Sequence, residues 1–130
     1  MILYSNKRMH APEWIAGAEE KGTLKIFRLK GDLDAFAVAK LERFAEALRK
    51  VKGYKPKHMI LNFAEVTSID STVMASLLKT LGYYKKMHRM LAISNASKEL
   101  QYLMWLAKVS HLFPTYATEE QAVKDLETRF

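Results

Sequence analysis

The stretch Thr67-Ser68-Ile69-Asp70-Ser71-Thr72-Val73-Met74 joins a short apolar run at residues 58–63 (HMILNF) to a segment with helical periodicity. A short apolar run bounded by turn signals predicts a buried central strand. Asp70 is a favourable N-cap for the segment that follows, which we predict to be a helix extending to about residue 87. The stretch is therefore a strand-to-helix junction, the unit from which α/β folds are built.

Helical spacing separates the polar residues of this junction by face. The apolar residues taken as the buried stripe are Met74, Leu77, Leu78 and Leu81. At about 100° per residue, Asp70 and Ser71 then fall on the core side or its edge. The residues on the opposite, exposed side are Thr72, Ser76, Lys79, Thr80 and Tyr83. The spacing thus predicts that Thr72 is the accessible hydroxyl at the helix start.

The segments before the junction predict a hairpin and a helix. A short strand is expected at residues 13–18, a hairpin turn at 19–22 and an alternating strand at 23–30. Residues 31–34 end that strand. Asp34 is placed to cap a helix over residues 35–51, where apolar side chains recur at helical spacing.

The segments after the junction continue the alternation of strands and helices. They predict a strand at 90–94, a helix capped by Ser97 through residue 107, an irregular segment or short edge strand at 110–116, and a helix opened by Thr118. This order predicts a single α/β domain over residues 1–130, with a four- to five-stranded mixed, largely parallel sheet and about four helices. Residues 1–12 are assigned as an extra edge strand or an arm.

The composition favours a cytoplasmic protein without disulfides. The 130 residues include no cysteine, which also excludes thiolate metal sites. No apolar stretch approaches the roughly 20 residues of a membrane span, and no signal peptide is recognisable, so membrane insertion is not expected. The net charge is +7. We interpret the lysines, mildly clustered at 49–57 and 85–89, as solvated surface charge rather than a nucleic-acid face, which would interleave aromatic residues with a basic stripe.

The sequence lacks the common motifs of enzymes. It has no glycine-rich phosphate-binding motif and no GxSxG nucleophile elbow. The four histidines share no metal-ligand spacing, so no metal or cofactor is expected. Capping and turn formation explain Asp32 and Asp34. A binding protein is favoured over the alternative, a small hydrolase or transferase using Asp70, Ser71 and Asp32, which lacks a paired general base.

Two surfaces of the predicted domain each have a functional and a purely structural interpretation, and helical spacing does not decide between them. A phosphate in the first turn of the junction helix would be stabilised by free backbone N–H groups and the helix dipole, and its charge would repel an acidic partner. A plain capped helix start is the alternative. The helix near residues 97–107 is apolar on two sides, with Tyr102, Trp105 and Leu106 opposite the core face. That outer face is either covered or a surface for partner or self-association.

The junction and its flanks resemble the STAS family, which is shared by sulfate transporters and bacterial anti-sigma factor antagonists. The resemblance covers about residues 23–126 and rests on Leu29-Lys30-Gly31-Asp32-Leu33-Asp34, the strands at 58–63 and 90–94, Ile69-Asp70-Ser71-Thr72 and the ending at 109–126. It implies that a partner kinase phosphorylates Thr72, or Ser71 beside it, and that Asp70 is the adjacent acidic residue. Val73 stands where family members usually carry glycine, and its branched side chain is expected to hinder a kinase loop.

The resemblance further implies a mechanism. The unmodified domain binds an anti-sigma factor that is also a serine-protein kinase, a sigma factor is released, phosphorylation ends the complex, and a phosphatase restores it. ATP belongs to the kinase, so no cofactor is implied. The expected contact residues are Asp32, Asp34, Asp70, Ser76 and Lys79, and a weak homodimer is left open. The alternative is a non-phosphorylated STAS accessory subunit that docks on a transporter ATPase or a signalling complex.

Overall fold

Strands and helices alternate along the chain in the computed structural model, which describes residues 13–130. The strands are β1 (Ile15–Lys21), β2 (Leu24–Leu33), β3 (His58–Ile69), β4 (Leu91–Ser94) and β5 (Thr115–Tyr116). The helices are α1 (Ala35–Arg49), α2 (Ser71–Lys86), α3 (Lys98–Leu106) and α4 (Glu119–Arg129), with a 3₁₀ turn at Ser110–Leu112. Residues 1–12, predicted as an extra edge strand or arm, lie outside the described residues.

The five strands form one sheet in which they lie side by side in chain order. β1 pairs with β2 in antiparallel fashion, whereas β2, β3, β4 and β5 pair in parallel. This confirms the predicted fold class, an α/β domain with a mixed, largely parallel sheet and, in the described part of the chain, four α-helices. Within residues 13–130, no helix is both long and apolar enough to cross a membrane.

Both faces of the sheet are covered, and this explains the residue pattern of β2. Phe27 and Leu29 belong to the core beneath α1, α2 and α3. Leu24 and Ile26 pack on the opposite face, where Leu126 of α4 covers them. Successive residues of a strand point to opposite faces, so a strand covered on both sides is apolar at neighbouring positions.

Two predicted strand ends were wrong because β2 and β3 stay paired beyond them. β2 was expected to end at residue 30 and β3 at residue 63, yet the ladder continues until Leu33 lies opposite Ile69. The register shifts after Gly31, which has a φ of +80°. Glycine adopts that conformation without the strain that a side chain would introduce. The two strands therefore reach the end of the sheet together.

The other boundaries differ from the predictions by small amounts. β1 extends to Lys21, so the hairpin turn is centred on Gly22, with a φ of +56°, and not on the predicted 19–22. α1 ends at Arg49 because residues 50–53 leave the helix in a turn. The segment expected to be irregular or a short edge strand contains both the 3₁₀ turn and β5.

Arg28 ties β1 and α4 to the middle of β2. Its Nε and Nη2 atoms donate to the two carboxylate oxygens of Glu119, each at 2.8 Å, and Nη2 also donates to Glu19 at 2.8 Å. Asn62 of β3 donates to the Glu119 carboxylate at 2.9 Å. The hydrogen bonds from Arg28 hold the pKa values of Glu119 and Glu19 below their usual range. This bidentate geometry is the strong form of an arginine–carboxylate contact.

We expect Arg28→Met to lower the free energy of unfolding by about 1.5 to 3 kcal/mol, because it removes charge-assisted hydrogen bonds and leaves Glu119 without its counter-ion. Arg129→Met is the matched control, since Arg129 pairs with Asp125 on the surface of α4 at 3.1 Å. Exposed pairs of this kind contribute about 0.5 kcal/mol or less. Urea unfolding measures both losses, and equal losses would contradict a special role for Arg28.

Acid should weaken the fold through the same groups. Because the pKa values of Glu119 and Glu19 are lowered in the folded state, their contribution to stability is complete above the ordinary glutamate pKa, about 4.3, and is lost as the pH falls below it. The urea midpoint is therefore expected to decrease between about pH 5 and pH 2. In Arg28→Met the urea midpoint should decrease less steeply with acid. An equally steep decrease would show that groups other than Glu119 and Glu19 cause the acid sensitivity.

Candidate functional site

Two helix N-termini lie side by side where the parallel strands finish, which we call the carboxyl end of the sheet. β2 and β3 pair as far as Leu33 and Ile69, and Asp34 and Asp70 follow them. Each aspartate accepts a hydrogen bond from a backbone N–H of the helix it precedes, at 2.9 Å in both cases. The Asp70 N–H also donates to the Leu33 carbonyl at 3.3 Å. Both predicted caps are confirmed, and the two junctions are bonded to each other.

The exposure of the two hydroxyls after Asp70 is the reverse of the prediction. Ser71 is exposed, whereas Thr72 is half-buried and donates its hydroxyl hydrogen to the Asp70 carboxylate. The reason is the orientation of α2 about its axis. Val73 belongs to the buried stripe of the helix, and Leu78, which was predicted to be buried, is 36% exposed.

Val73 lies inside the protein. Its side chain is 4% exposed and packs in the cluster between the sheet and the helices. The side chain is therefore not at the surface from which a kinase loop would approach, and its burial gives no support to the expected hindrance. Val73 lies in the first turn of α2, where its backbone N–H donates to the Asp70 carbonyl at 3.1 Å.

Asp32 is held by two hydroxyls that the sequence analysis missed. Its carboxylate accepts hydrogen bonds from Thr67 Oγ1 at 2.5 Å and Ser68 Oγ at 2.9 Å. Nearby, Glu99 in the first turn of α3 accepts from Ile69 N at 3.0 Å. The sequence signal for these hydroxyls is the polar pair Thr67-Ser68, shortly before Asp70. Its meaning becomes clear only when β3 is known to continue beyond residue 63.

Acidic side chains outnumber basic ones at the carboxyl end. The acidic residues are Asp32, Asp34, Glu65, Asp70 and Glu99, and the basic residues among them are Lys30 and Lys98. The hydroxyl hydrogen bonds from Thr67 and Ser68 lower the pKa of Asp32, and those from the Thr72 hydroxyl and backbone lower the pKa of Asp70. These two carboxylates are therefore ionised at neutral pH, beside the positive ends of two helix dipoles.

Ser76 and Lys79 lie further along α2 and face α1. The Ser76 hydroxyl donates to Glu42 of α1 at 3.0 Å, and the Lys79 ammonium is 3.9 Å from the same carboxylate. Lys79 is exposed, as predicted, but Ser76 is half-buried because α1 lies beside it. Both line a largely apolar cavity of about 150 Å³ between α1, α2 and the sheet. The predicted contact residues thus extend from the carboxyl end along the side of α2.

The site does not assemble the catalytic arrangement that was the alternative. Asp32 bonds to hydroxyls of β3 and Asp70 bonds to Thr72, so neither carboxylate is bonded to Ser71 as a general base. In the part of the chain that the structure describes, no group of three His, Cys, Asp or Glu side chains is placed to hold a metal ion. The arrangement offers the exposed hydroxyl of Ser71, three hydroxyls bonded to carboxylates, and fixed negative charge.

Fold and site together define a small α/β domain with a hydroxyl-bearing helix start at the carboxyl end of its sheet. The model of one protein family, the STAS domain, matches residues 16–122. This match covers most of the chain, which therefore belongs to the STAS domain family, as the resemblance indicated. The comparison with curated proteins gave no match.

Solved structures with the same fold include an anti-sigma factor antagonist and a sulfate transporter family protein. The Bacillus cell fate determinant SpoIIAA in its phosphorylated form is 19% identical, with a TM-score of 0.66 over 85% of this chain and 97% of that chain. The anti-sigma factor antagonist SpoIIAA in its unphosphorylated form is 21% identical, with a TM-score of 0.63 over 85% and 96%. A sulfate transporter family protein from Wolinella succinogenes is 16% identical, with a TM-score of 0.68 over 96% and 94%. At these identities the likeness establishes the fold.

Removing the two aspartate caps should have unequal effects. Asp34→Ala is expected to lower the free energy of unfolding by about 1 kcal/mol, because one N-terminal N–H of α1 loses its acceptor. Asp70→Ala should lower it further, since the half-buried Thr72 hydroxyl loses its acceptor as well. Urea unfolding compares the two. In a Thr72→Val background, the additional loss of stability caused by Asp70→Ala relative to Asp34→Ala should disappear. If that additional loss persists, the contact between the Thr72 hydroxyl and Asp70 contributes nothing.

Proposed function

We propose that the chain is an anti-sigma factor antagonist, a binding protein rather than an enzyme, which regulates sigma-dependent transcription. In its unmodified state the carboxyl end and the side of α2 bind an anti-sigma factor that is also an ATP-dependent serine kinase. The kinase phosphorylates Thr72, the complex separates, and a phosphatase restores the binding state. ATP enters with the kinase, so the chain needs no cofactor, and the use of ATP favours the cytoplasm. The Thr72 hydroxyl, bonded to Asp70 in the first turn of α2, is the observation that carries the proposal.

The contact between Thr72 and Asp70 suits phosphoryl transfer to the threonine. As hydrogen-bond acceptor, the carboxylate orients the hydroxyl and withdraws its hydrogen, which makes Thr72 Oγ1 a better nucleophile. After transfer, a phosphate with about −1.5 to −2 charges would lie against the Asp70 carboxylate. The free N–H groups at the start of α2 can then donate hydrogen bonds to the phosphate in place of the aspartate. The helix would keep a cap while the charge of the surface changes.

The acidic surroundings specify which partner fits. A surface with ionised Asp32 and Asp70 is complementary to basic side chains, and not to the acidic partner suggested by the charge of a phosphate alone. Separation after phosphorylation still requires negative charge on the kinase. The nucleoside diphosphate left in the kinase active site after transfer would supply this charge, because it would lie next to the newly formed phosphate.

The solved SpoIIAA structures support the proposal. That protein has been solved with and without its phosphate, and this chain shares the fold of both forms. The fold is therefore compatible with a switch that changes surface charge without rebuilding the domain. Ser71 is the second candidate for the modified hydroxyl, since it is exposed and adjacent to Thr72.

The first measurement is to locate the phosphate. Protein purified from its own cells is expected to lose the mass of one phosphate group on phosphatase treatment, and tandem mass spectrometry should place that group on Thr72. Thr72→Ala should abolish the modification and leave folding nearly unchanged, and Ser71→Ala is the matched control that should retain it. The reverse pattern would move the site to Ser71. Unmodified protein under every growth condition would contradict the switch.

A permanent negative charge at the same position should imitate the phosphate. Thr72→Glu is expected to weaken binding to the kinase at least about tenfold, a loss of about 1.4 kcal/mol, whereas Thr72→Ala should bind nearly as well as the unmodified chain. Gln121→Glu adds the same charge on α4, at an exposed position on the other face of the sheet, and should have little effect. Titration calorimetry measures all three. Unchanged affinity for Thr72→Glu would argue against charge as the switch.

The outer face of α3 favours a second candidate function. Tyr102, Trp105 and Leu106 are 57%, 67% and 51% exposed, and the two rings stack with centroids 6.1 Å apart. No other element within residues 13–130 covers this face. Exposed aromatic residues of this size mark interaction surfaces. Under this proposal the domain is a non-phosphorylated accessory subunit that docks through α3 on a transporter ATPase or signalling complex; the same face would support a weak homodimer.

Trp105→Ser distinguishes the two functions. If α3 docks on a larger assembly, the variant should lose co-purification with that assembly from its own cells, while Phe36→Ser, at an exposed aromatic residue of α1, should retain it. If the chain acts through Thr72 alone, Trp105→Ser should leave phosphorylation and kinase binding unchanged. Sedimentation velocity of the same variants and of the unsubstituted chain tests the homodimer. An unsubstituted chain that is monomeric at every concentration would exclude it.

A further inference from the structure

The fold gathers two basic segments that are far apart in the sequence. Residues 49–57 and 85–89 together contain eight lysines and arginines and no carboxylate. Both lie at the end of the sheet where the parallel strands begin, because α1 and α2 finish there before β3 and β4 start. Arg89 Nε donates to the Pro56 carbonyl at 2.9 Å, and Lys57 Nζ donates to the Gly22 carbonyl at 2.7 Å. We call these two segments the basic end.

The basic end is a dense cluster of positive charge that carboxylates do not neutralise. The exposed lysines of the two segments are Lys50, Lys52, Lys55, Lys85 and Lys86. None of them forms an ion pair with a carboxylate elsewhere in residues 13–130. Glu20 reaches this end and pairs with Lys57 at 3.6 Å. The interpretation of the lysines as charge spread over the surface was thus incomplete, since eight of the 21 lysines and arginines lie together at the end of the sheet opposite the acidic carboxyl end.

Exposed apolar side chains stand among these charges. Met87 is 40% exposed in the turn after α2, between Lys86 and His88. Phe130 is 53% exposed, and its ring stacks on His58 with centroids 3.8 Å apart. His58 Nδ1 in turn accepts a hydrogen bond from the backbone N–H of Met90, the residue before β4. The two exposed apolar side chains therefore lie at the same end of the sheet as the basic segments.

We propose that the basic end docks the domain on a membrane surface rich in anionic phospholipid. Clustered lysines beside a lipid headgroup layer each contribute on the order of 1 kcal/mol, or about fivefold in binding. Met87 and Phe130 can enter the boundary between headgroups and acyl chains, as the apolar side chains of peripheral proteins do. A nucleic acid suits this surface less well, because aromatic rings at this end are partly covered: Arg49 lies over the Tyr83 ring at 3.9 Å, and His58 stacks on one face of Phe130.

The geometry leaves the carboxyl end free on such a surface. β3 runs from one end of the sheet to the other, about 35 Å at the usual rise of a strand. Screening reduces electrostatic coupling over distances beyond about 8 Å at physiological salt. A docked domain would therefore present Thr72 and Asp70 away from the membrane. The inference does not rest on phosphorylation or on the identity of the partner.

Co-sedimentation of the purified chain with vesicles tests the proposal. Binding is expected to vesicles of phosphatidylcholine mixed with phosphatidylglycerol and not to phosphatidylcholine alone. Raising the salt from about 0.1 M to about 1 M shortens the Debye length from about 10 Å to about 3 Å and should release the protein. Absence of binding at low salt, or equal binding to both kinds of vesicle, would overturn the proposal.

Matched charge reversals locate the surface. Lys85→Glu combined with Lys86→Glu is expected to lower the partition coefficient at least about thirtyfold, from about fivefold per lysine. Lys98→Glu combined with Lys124→Glu gives the same net charge at exposed positions outside the basic end and should lower it much less. Equal losses would show that net charge alone acts, which contradicts a docking face.

Met87→Ser separates lipid from nucleic acid. It should weaken vesicle binding several-fold and leave the weak, salt-sensitive binding of a short DNA duplex unchanged. Tight duplex binding that Lys85→Glu and Lys86→Glu abolish, with no binding to anionic vesicles, would overturn the membrane proposal in favour of a nucleic acid.

Discussion

The parallel pairing of β2 with β3 is the constraint on which the rest of the structure depends. Because the two strands run together to Leu33 and Ile69, the helices that follow them must begin at the same place. Asp34 and Asp70 each cap one of these helices, and the backbone of the second junction is bonded to the first. The same pairing requires α1 and α2 to return to the opposite end before the next strands begin. One ladder thus creates an acidic end with two helix N-termini and a basic end with two helix C-termini.

The parts of this arrangement that could be predicted are those with local causes. The predicted helix caps are all present: Asp34, Asp70, Ser97 and Thr118. A cap needs contacts only within the next few residues, so the sequence contains the whole signal. The rotation of α2 is different, because Val73 and Leu78 are both apolar and only the neighbouring elements decide which is covered. The exposure of Ser71 and Thr72 depended on that choice, and it was therefore predicted the wrong way round.

Contacts between distant segments could not be predicted from spacing. Lys25 alternates with apolar residues as a solvent-facing side chain would, yet it is 3% exposed because the sheet is covered on both faces. Its burial lowers its pKa to about 8, although Glu20 lies 3.9 Å away. The bond from Arg89 to Pro56 likewise joins segments that the sequence separates by a whole strand and helix. The separation of charge between the two ends of the sheet follows from such contacts, and composition alone did not indicate it.

The order of the strands in the sheet also bears on how the protein is made. Since spatial order equals chain order, every strand pairs with the one synthesised just before it. A chain that leaves the ribosome at about 5–20 residues per second can therefore add each new strand to a sheet already formed. β2 and β3, the longest strands, emerge while β4, β5 and α4 are still being translated. The sheet can therefore grow from one side, one strand at a time. The unpaired edge of each strand is covered by the next strand along the chain.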